Sequence, residues 1–158
     1  MKRFAYILSI GISAIISCTD SPGTYYPRYS TFPNEKAISA RVIELDTALF
    51  RYPFRVAVKD SIAIVMDLHN ADNYFHAFTY PNWKHIVSFS KRGEGPEEML
   101  SAETFQFNSL DSIYALDANK MQISRWAISA KDHSATRQEV IRLDKNLIRS
   151  LDFCATDS

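Results

Sequence analysis

Beyond residue 50 the apolar and polar positions fall into short runs rather than helical stripes. Phe54 to Val58 alternates as a half-covered strand does, Lys59-Asp60-Ser61 interrupts it as a tight turn, and Ile62 to Met66 is unbroken apolar sequence. An apolar run of that length between turn signals predicts a strand covered on both faces. LHNADN, residues 68–73, is rich in Asn and Asp and reads as a hairpin loop. Tyr74 to Tyr80 follows as an aromatic strand, Pro81-Asn82 turns, and His85 to Phe89 supplies a fourth strand. Four short strands joined by brief turns predict an antiparallel meander.

The order then returns. Thr104 to Phe107 is a first strand, Leu110-Asp111-Ser112 a turn, and Ile113 to Leu116 the apolar run; Asp117 to Lys120 is the loop. Met121 to Ile128 is a third strand, residues 129–136 are polar and irregular, and Glu139 to Leu143 is a fourth. VKDSIAIVMD and SLDSIYALD mark the same place in each unit, and Asp60 to Asp111 is a step of 51 residues. A fixed period of this size in an all-β pattern predicts propeller blades. Asp144-Lys145-Asn146 turns again, and Leu147 to Phe153 reads as the first strand of a third unit. The expected fold is therefore all-β: antiparallel four-stranded meander repeats of a β-propeller, about two blades plus the start of a third. Such a ring is incomplete, since six blades at this period need roughly 300 residues. The expectation is a truncated chain. The alternative is a small sandwich made of the same eight or nine strands.

Upstream the pattern changes. Lys2 and Arg3 precede an uncharged, mostly apolar run from Phe4 to Ile16, and Ile15-Ile16-Ser17-Cys18 closes it. Thirteen residues rise about 20 Å as a helix, short of a hydrocarbon core of roughly 30 Å, so a secretory signal is the better reading than a membrane span. Residues 19–35 contain Pro22, Pro27 and Pro33 without helical or strand period, and predict a semi-extended tether. Its aromatics Tyr25, Tyr26, Tyr29 and Phe32 offer an alternative, docking on the domain. Residues 38–45 (ISARVIEL) are amphipathic and compatible with a strand. The expected division is a signal over 1–17, a tether over 18–36 and the β domain over 37–158.

Charge narrows the partners. Lys plus Arg and Asp plus Glu each total 18, and no basic cluster interrupts that balance, so nucleic acid is not an expected partner. Removing residues 1–17 takes away two cations and no acid, leaving a net charge of −2 that would not draw the domain to anionic lipid. Ten Phe, eight Tyr and only four Gly favour a packed β structure.

Between the two units stands KRGEGPEEM, residues 91–99. Gly93 and Gly95 permit the chain to reverse, and Pro96 followed by Glu97 and Glu98 fits a short helical turn with acids at its positive end. Gly93, Gly95, Pro96 and Glu98, set between HIVSF and DSIYALD, resemble the G-x-G-P-x-E turn of TolB-like six-bladed β-propeller lipoproteins of Gram-negative bacteria. The aliphatic pair and small residue before Cys18 resemble a lipobox. The resemblance implies cleavage before Cys18, acylation of its thiol, and a module anchored in the bacterial cell envelope. The outer membrane is the expected site, with the domain on its periplasmic or surface face. Acyl chains supply roughly 0.8 kcal/mol per buried CH₂.

Catalytic signals are sparse. Gly93-Glu94-Gly95 lacks the Lys-Ser/Thr of a P-loop and the third glycine of a dinucleotide turn, so no nucleotide is expected. His69, His76, His85 and His133 show no metal-ligand spacing. Asp67 and His69 could share one strand face as a metal pair. However, Asp67, Asp72, Asp111 and Asp117 all border turns, where carboxylates bond to backbone amides. Most of the large aromatics are expected in the core; Trp83 and Tyr80, beside the Pro81-Asn82 turn, are the candidate ligand contacts. Cys154 is a lone thiol. No cofactor and no catalysis are expected, and the reading is a binding module for a protein or glycan. The competing readings are a calcium-dependent, lactonase-like propeller hydrolase and a degenerate fragment without function.

Overall fold

The computed structural model describes residues 34–45, 50–144, 146–147 and 150–156. The chain divides into two compact units, Met1–Ala40 and Arg41–Ser158. The described residues of the first, 34–40, are exposed and carry no regular structure.

The second unit holds eight strands: β1 (Pro53–Lys59), β2 (Ile62–Asp67), β3 (Asn73–Thr79), β4 (His85–Lys91), β5 (Ala102–Ser109), β6 (Ser112–Asp117), β7 (Gln122–Ser129) and β8 (Ser134–Arg142). They form two four-stranded antiparallel meanders in the orders β1-β2-β3-β4 and β5-β6-β7-β8. The second strands are almost wholly covered, as their continuous apolar sequence requires.

The sheets pack face to face. Cross-strand partners share a face, so Ile64 with Ala77 and Met66 with Phe75 define one side of the first sheet. Against them stand Phe105, Ile113, Ala115, Trp126 and Ile128 of the second. Phe75 anchors this seam, with its ring 5.3 Å from Phe89 and 5.4 Å from Phe105 in offset and edge-on contacts. The opposite side of the first sheet carries Val65, His76 and Phe78, and toward the β1 edge Val56 and Val58, both about half exposed.

The two sheets are joined at a regular interval along their first strands. Arg55 donates to the Thr104 hydroxyl and Lys59 to the Asn108 carbonyl, each across 49 residues. Gln106 repeats the step: its amide donates to the Ala155 carbonyl at 2.9 Å, and the Ala155 N–H donates back at 2.8 Å. Ala155 thus lies against β5 as β5 lies against β1.

Three expectations need correction. Residues 41–45 form no strand, and neither do residues 150–153 within the expected Leu147–Phe153 strand. The eighth strand begins at Ser134, inside the stretch that looked irregular, because β8 is a solvent-facing edge with no need for apolar alternation. Its turn is made instead by residues 129–133, with His133 at φ 51° and Ser129 Oγ bonded to Asp132.

Candidate functional site

The seam at residues 91–99 is held by side chains from three directions. Gly93 has φ +155°, while Gly95 does not need positive φ. What Gly95 supplies is space, since a Cβ there would lie 3.0 Å from Glu98 Oε2. Glu98 accepts the Gly95 N–H at 3.0 Å and pairs with Lys91 at 3.0 Å. The Lys91 ammonium first, then the Gly95 amide, hold this carboxyl below its usual range. In place of the expected helical turn there is one β-turn, in which Glu98 N–H donates to the Gly95 carbonyl at 3.1 Å. Lys120 then clamps the turn to the second sheet, donating to the carbonyls of Gly95 and Glu98 at 2.6 Å each. Pro96 is fixed through its carbonyl, which accepts from Arg137 at 2.8 Å, and Arg137 also pairs with Glu97 at 2.6 Å. Lys91, Lys120 and Arg137 are thus all engaged within the protein at this turn.

Asp67 and Asp117 occupy matching places at the ends of β2 and β6, and both are fully buried. Asp67 accepts the N–H groups of Arg51 at 2.7 Å, Tyr52 at 2.8 Å and His69 at 3.1 Å. Burial alone would raise its pKa, but these amides outweigh it and hold the carboxyl below its ordinary value. Asp117 accepts from Leu100 at 2.8 Å and Lys120 at 3.0 Å. Each carboxylate ties the chain entering the first strand of its unit to the loop leaving the second. The His69 ring turns to Tyr52 instead, at 5.2 Å, so Asp67 and His69 meet through a backbone N–H. Among the described residues no three metal-ligating side chains gather.

Trp83 and Tyr80 lie on the β3–β4 hairpin, on the side of the first sheet turned away from the second. The Thr79 carbonyl accepts the Trp83 N–H at 2.7 Å, and Thr79 N–H reaches the Lys84 carbonyl at 2.9 Å. This turn holds Trp83 at φ 57°, a left-handed conformation that bulky residues rarely adopt. Its indole lies 5.9 Å from Phe78 and 6.1 Å from Tyr80, a residue that is 43% exposed. Phe78, Asn82, Trp83, Lys84, His85 and Glu44 line a cleft of about 390 Å³.

Behind that cleft lies an arrangement the sequence did not disclose. Ser88 Oγ stands 2.8 Å from His76 Nδ1 and 2.9 Å from His85 Nε2. In a regular strand residues 85 and 88 face opposite ways. Here β4 carries an extra residue, with Val87 opposite Ala77 but His85 opposite Phe78, and this bulge returns both side chains to one face. His76 is buried, Phe50 packs edge-on to it at 5.4 Å, and its Nε2 has no hydrogen-bond partner among the described residues. Burial lowers the pKa of both imidazoles, against the pull of Asp67 on His76 and reinforced at His85 by His133.

A family model described as TolB-like 6-blade propeller-like matches residues 31–158. The chain belongs to the TolB-like six-bladed β-propeller family. No curated protein and no solved structure matches it. The two meanders are accordingly TolB-like blades, packed face to face with their first strands side by side, and two blades leave the ring open. The seam at Gly93–Glu98 is the connector from one blade to the next. Cys18 lies outside the described residues; Cys154 is an exposed free thiol.

Proposed function

We propose that the protein is a lipid-anchored, non-catalytic binding module of the bacterial cell envelope. Cys18 is its acylated residue, the outer membrane its site, and a protein or glycan its partner. The observation that carries the binding reading is the Trp83 cleft. A tryptophan is held in a costly backbone conformation beside an exposed tyrosine, over a cavity with polar groups from Asn82, Lys84, His85 and Glu44. Strained residues of this kind concentrate at ligand sites, and amphipathic aromatic rings suit both sugar faces and peptide side chains. The hydrolase alternative asks Asp67 to ligate calcium, yet that carboxylate already accepts three backbone N–H groups.

Two measurements test this. Labelled palmitate enters the wild-type protein in an envelope-bearing host and does not enter Cys18→Ser; label persisting in the variant removes the anchor. Immobilised protein retains either purified peptidoglycan or detergent-extracted envelope protein, and Trp83→Ala with Tyr80→Ala lowers that retention at least tenfold. Retention equal to wild type removes the cleft from the interface.

A further inference from the structure

The hydrogen-bond chain behind the cleft has a direction, and its direction depends on a proton. A serine hydroxyl offers one donor, and each neutral imidazole offers one donor and one acceptor. With both rings neutral the chain can run from His76 Nδ1–H to Ser88 Oγ and from the Ser88 hydroxyl to His85 Nε2. His76 Nε2, which is buried and without a partner among the described residues, then presents only a lone pair. A proton on His85 makes both of its nitrogens donors. Ser88 Oγ must then accept from His85: either its hydroxyl turns to His76 Nδ1 and leaves a hydrogen on His76 Nε2, or Oγ accepts from both rings and its own hydrogen loses the His85 acceptor. Buried unpaired donors are rare because their desolvation is uncompensated.

We propose that His85, Ser88 and His76 form a proton-sensitive latch on the Trp83 cleft, in which protonation at His85 takes away the acceptor of the Ser88 hydroxyl, breaks the chain as it stood and loosens the β3–β4 hairpin. The inference rests on the reading of that cleft as the binding site for its use, though the latch itself is a property of the fold. The charged and titratable surroundings support it. His133, on the turn between β7 and β8, acts on His85 electrostatically while donating from Nδ1 to the Ile86 carbonyl at 3.0 Å. Lys84 adds a like charge at the cleft and Glu44 an opposite one. Asp67 on β2 draws a proton toward His76, but its oxygens already accept three N–H groups. Burial disfavours the charged form of both rings, so the latch stays shut at neutral pH. His85 borders the cleft, and Trp83 follows it through Phe78, which touches both rings at 5.6 and 5.9 Å.

Trp83 reports the latch in the full chain carrying Trp126→Phe, and Trp126 reports the inter-sheet core in the full chain carrying Trp83→Phe. As pH falls below 6.5 the emission of Trp83 shifts to the red, reversibly, while that of Trp126 stays constant. His85→Gln and Ser88→Ala each remove the Trp83 shift. A shift that survives in His85→Gln, a parallel shift of Trp126, or no shift at all overturns the latch. Should either variant fail to show the native Trp126 emission at pH 8, proton resonances of the imidazoles decide in the wild type. Coupled midpoints for His76 and His85 support the latch, and independent ones overturn it. The binding reading fails separately: undiminished retention by Trp83→Ala removes the cleft as an interface and leaves the latch standing.

Discussion

The carboxylate of Glu98 lies over the α-carbon of Gly93, so that a methyl group on that carbon would stand 2.0 Å from Oε2 and 2.7 Å from Cδ. The same carboxylate closes the turn through the Gly95 N–H. Gly93→Ala therefore meets two penalties, a φ that side chains avoid and a contact that can be relieved only by moving Glu98 off Gly95 and Lys91. The backbone conformation alone is worth about 1–3 kcal/mol. Gly95→Ala meets only a 3.0 Å contact with the far end of a flexible side chain, and costs less. Urea denaturation should rank the two variants in that order; equal losses would show that Glu98 does not set the geometry.

Lys120 is the reciprocal device on the second blade, its ammonium donating to two carbonyl acceptors on the connector. Hydrogen bonds from a charged donor contribute roughly 1.5–3 kcal/mol. Lys120→Met, which keeps the aliphatic stem, should lower stability by about 2 kcal/mol and increase amide exchange at Glu98 and Met99, whose N–H groups close the connector. An unchanged exchange rate there would mean that the turn is held by its own bonds.

Asp67 and Asp117 carry a larger share, because each is buried and, among the described residues, bonded only to backbone N–H groups. Removing an acceptor leaves two or three buried donors unpaired, at about 1–3 kcal/mol each before relaxation. Asp67→Ala and Asp117→Ala should each cost about 3 kcal/mol by thermal or chemical denaturation. A loss below about 1 kcal/mol at both would show that water reaches these amides. Calcium should leave the wild-type transition unmoved; a calcium-dependent rise absent from Asp67→Asn would restore the hydrolase reading.

Stability should fall toward acid in two stages. The imidazoles of His76 and His85 titrate below their ordinary 6.5 in the folded chain, so the unfolded chain takes up protons first as pH drops. Their contribution is complete above pH 6.5 and is lost as pH falls through the folded values. Asp67 and Glu98 lie below their ordinary 3.8 and 4.5, so theirs is complete above those values and lost further into acid. His76→Gln with His85→Gln should flatten the first limb and leave the second, as read from urea midpoints across pH. A first limb of unchanged slope would assign it to other groups.

The strand plan was legible in the sequence because each blade buries its second strand on both faces and repeats the turn before it. VKDSIAIVMD and SLDSIYALD carry that information in the order of residues alone. The partners of Asp67 were half legible: the turn contact to His69 is local, but Arg51 and Tyr52 reach it only once β1 has paired with β2. The His76–Ser88–His85 chain was not legible, since strand alternation separates residues 85 and 88 and only the bulge opposite Ala77 and Phe78 reunites them. Ser134 to Gln138 was hidden for the opposite reason, because an exposed edge strand obeys no apolar period.

Trp126 offers the last test, of packing against polarity. Its ring lies 5.5 Å from Phe89 in the seam between the blades, and its Nε1 is buried without a hydrogen-bond partner among the described residues. Trp126→Phe removes that unsatisfied donor, which offsets part of the volume lost, and should change stability by less than about 1.5 kcal/mol. Trp126→Ala removes the ring as well and should cost about 3–5 kcal/mol, the range for emptying an aromatic site in a core. The ratio of the two, measured by urea unfolding, separates the contributions. Comparable losses would mean that the indole N–H has a partner after all.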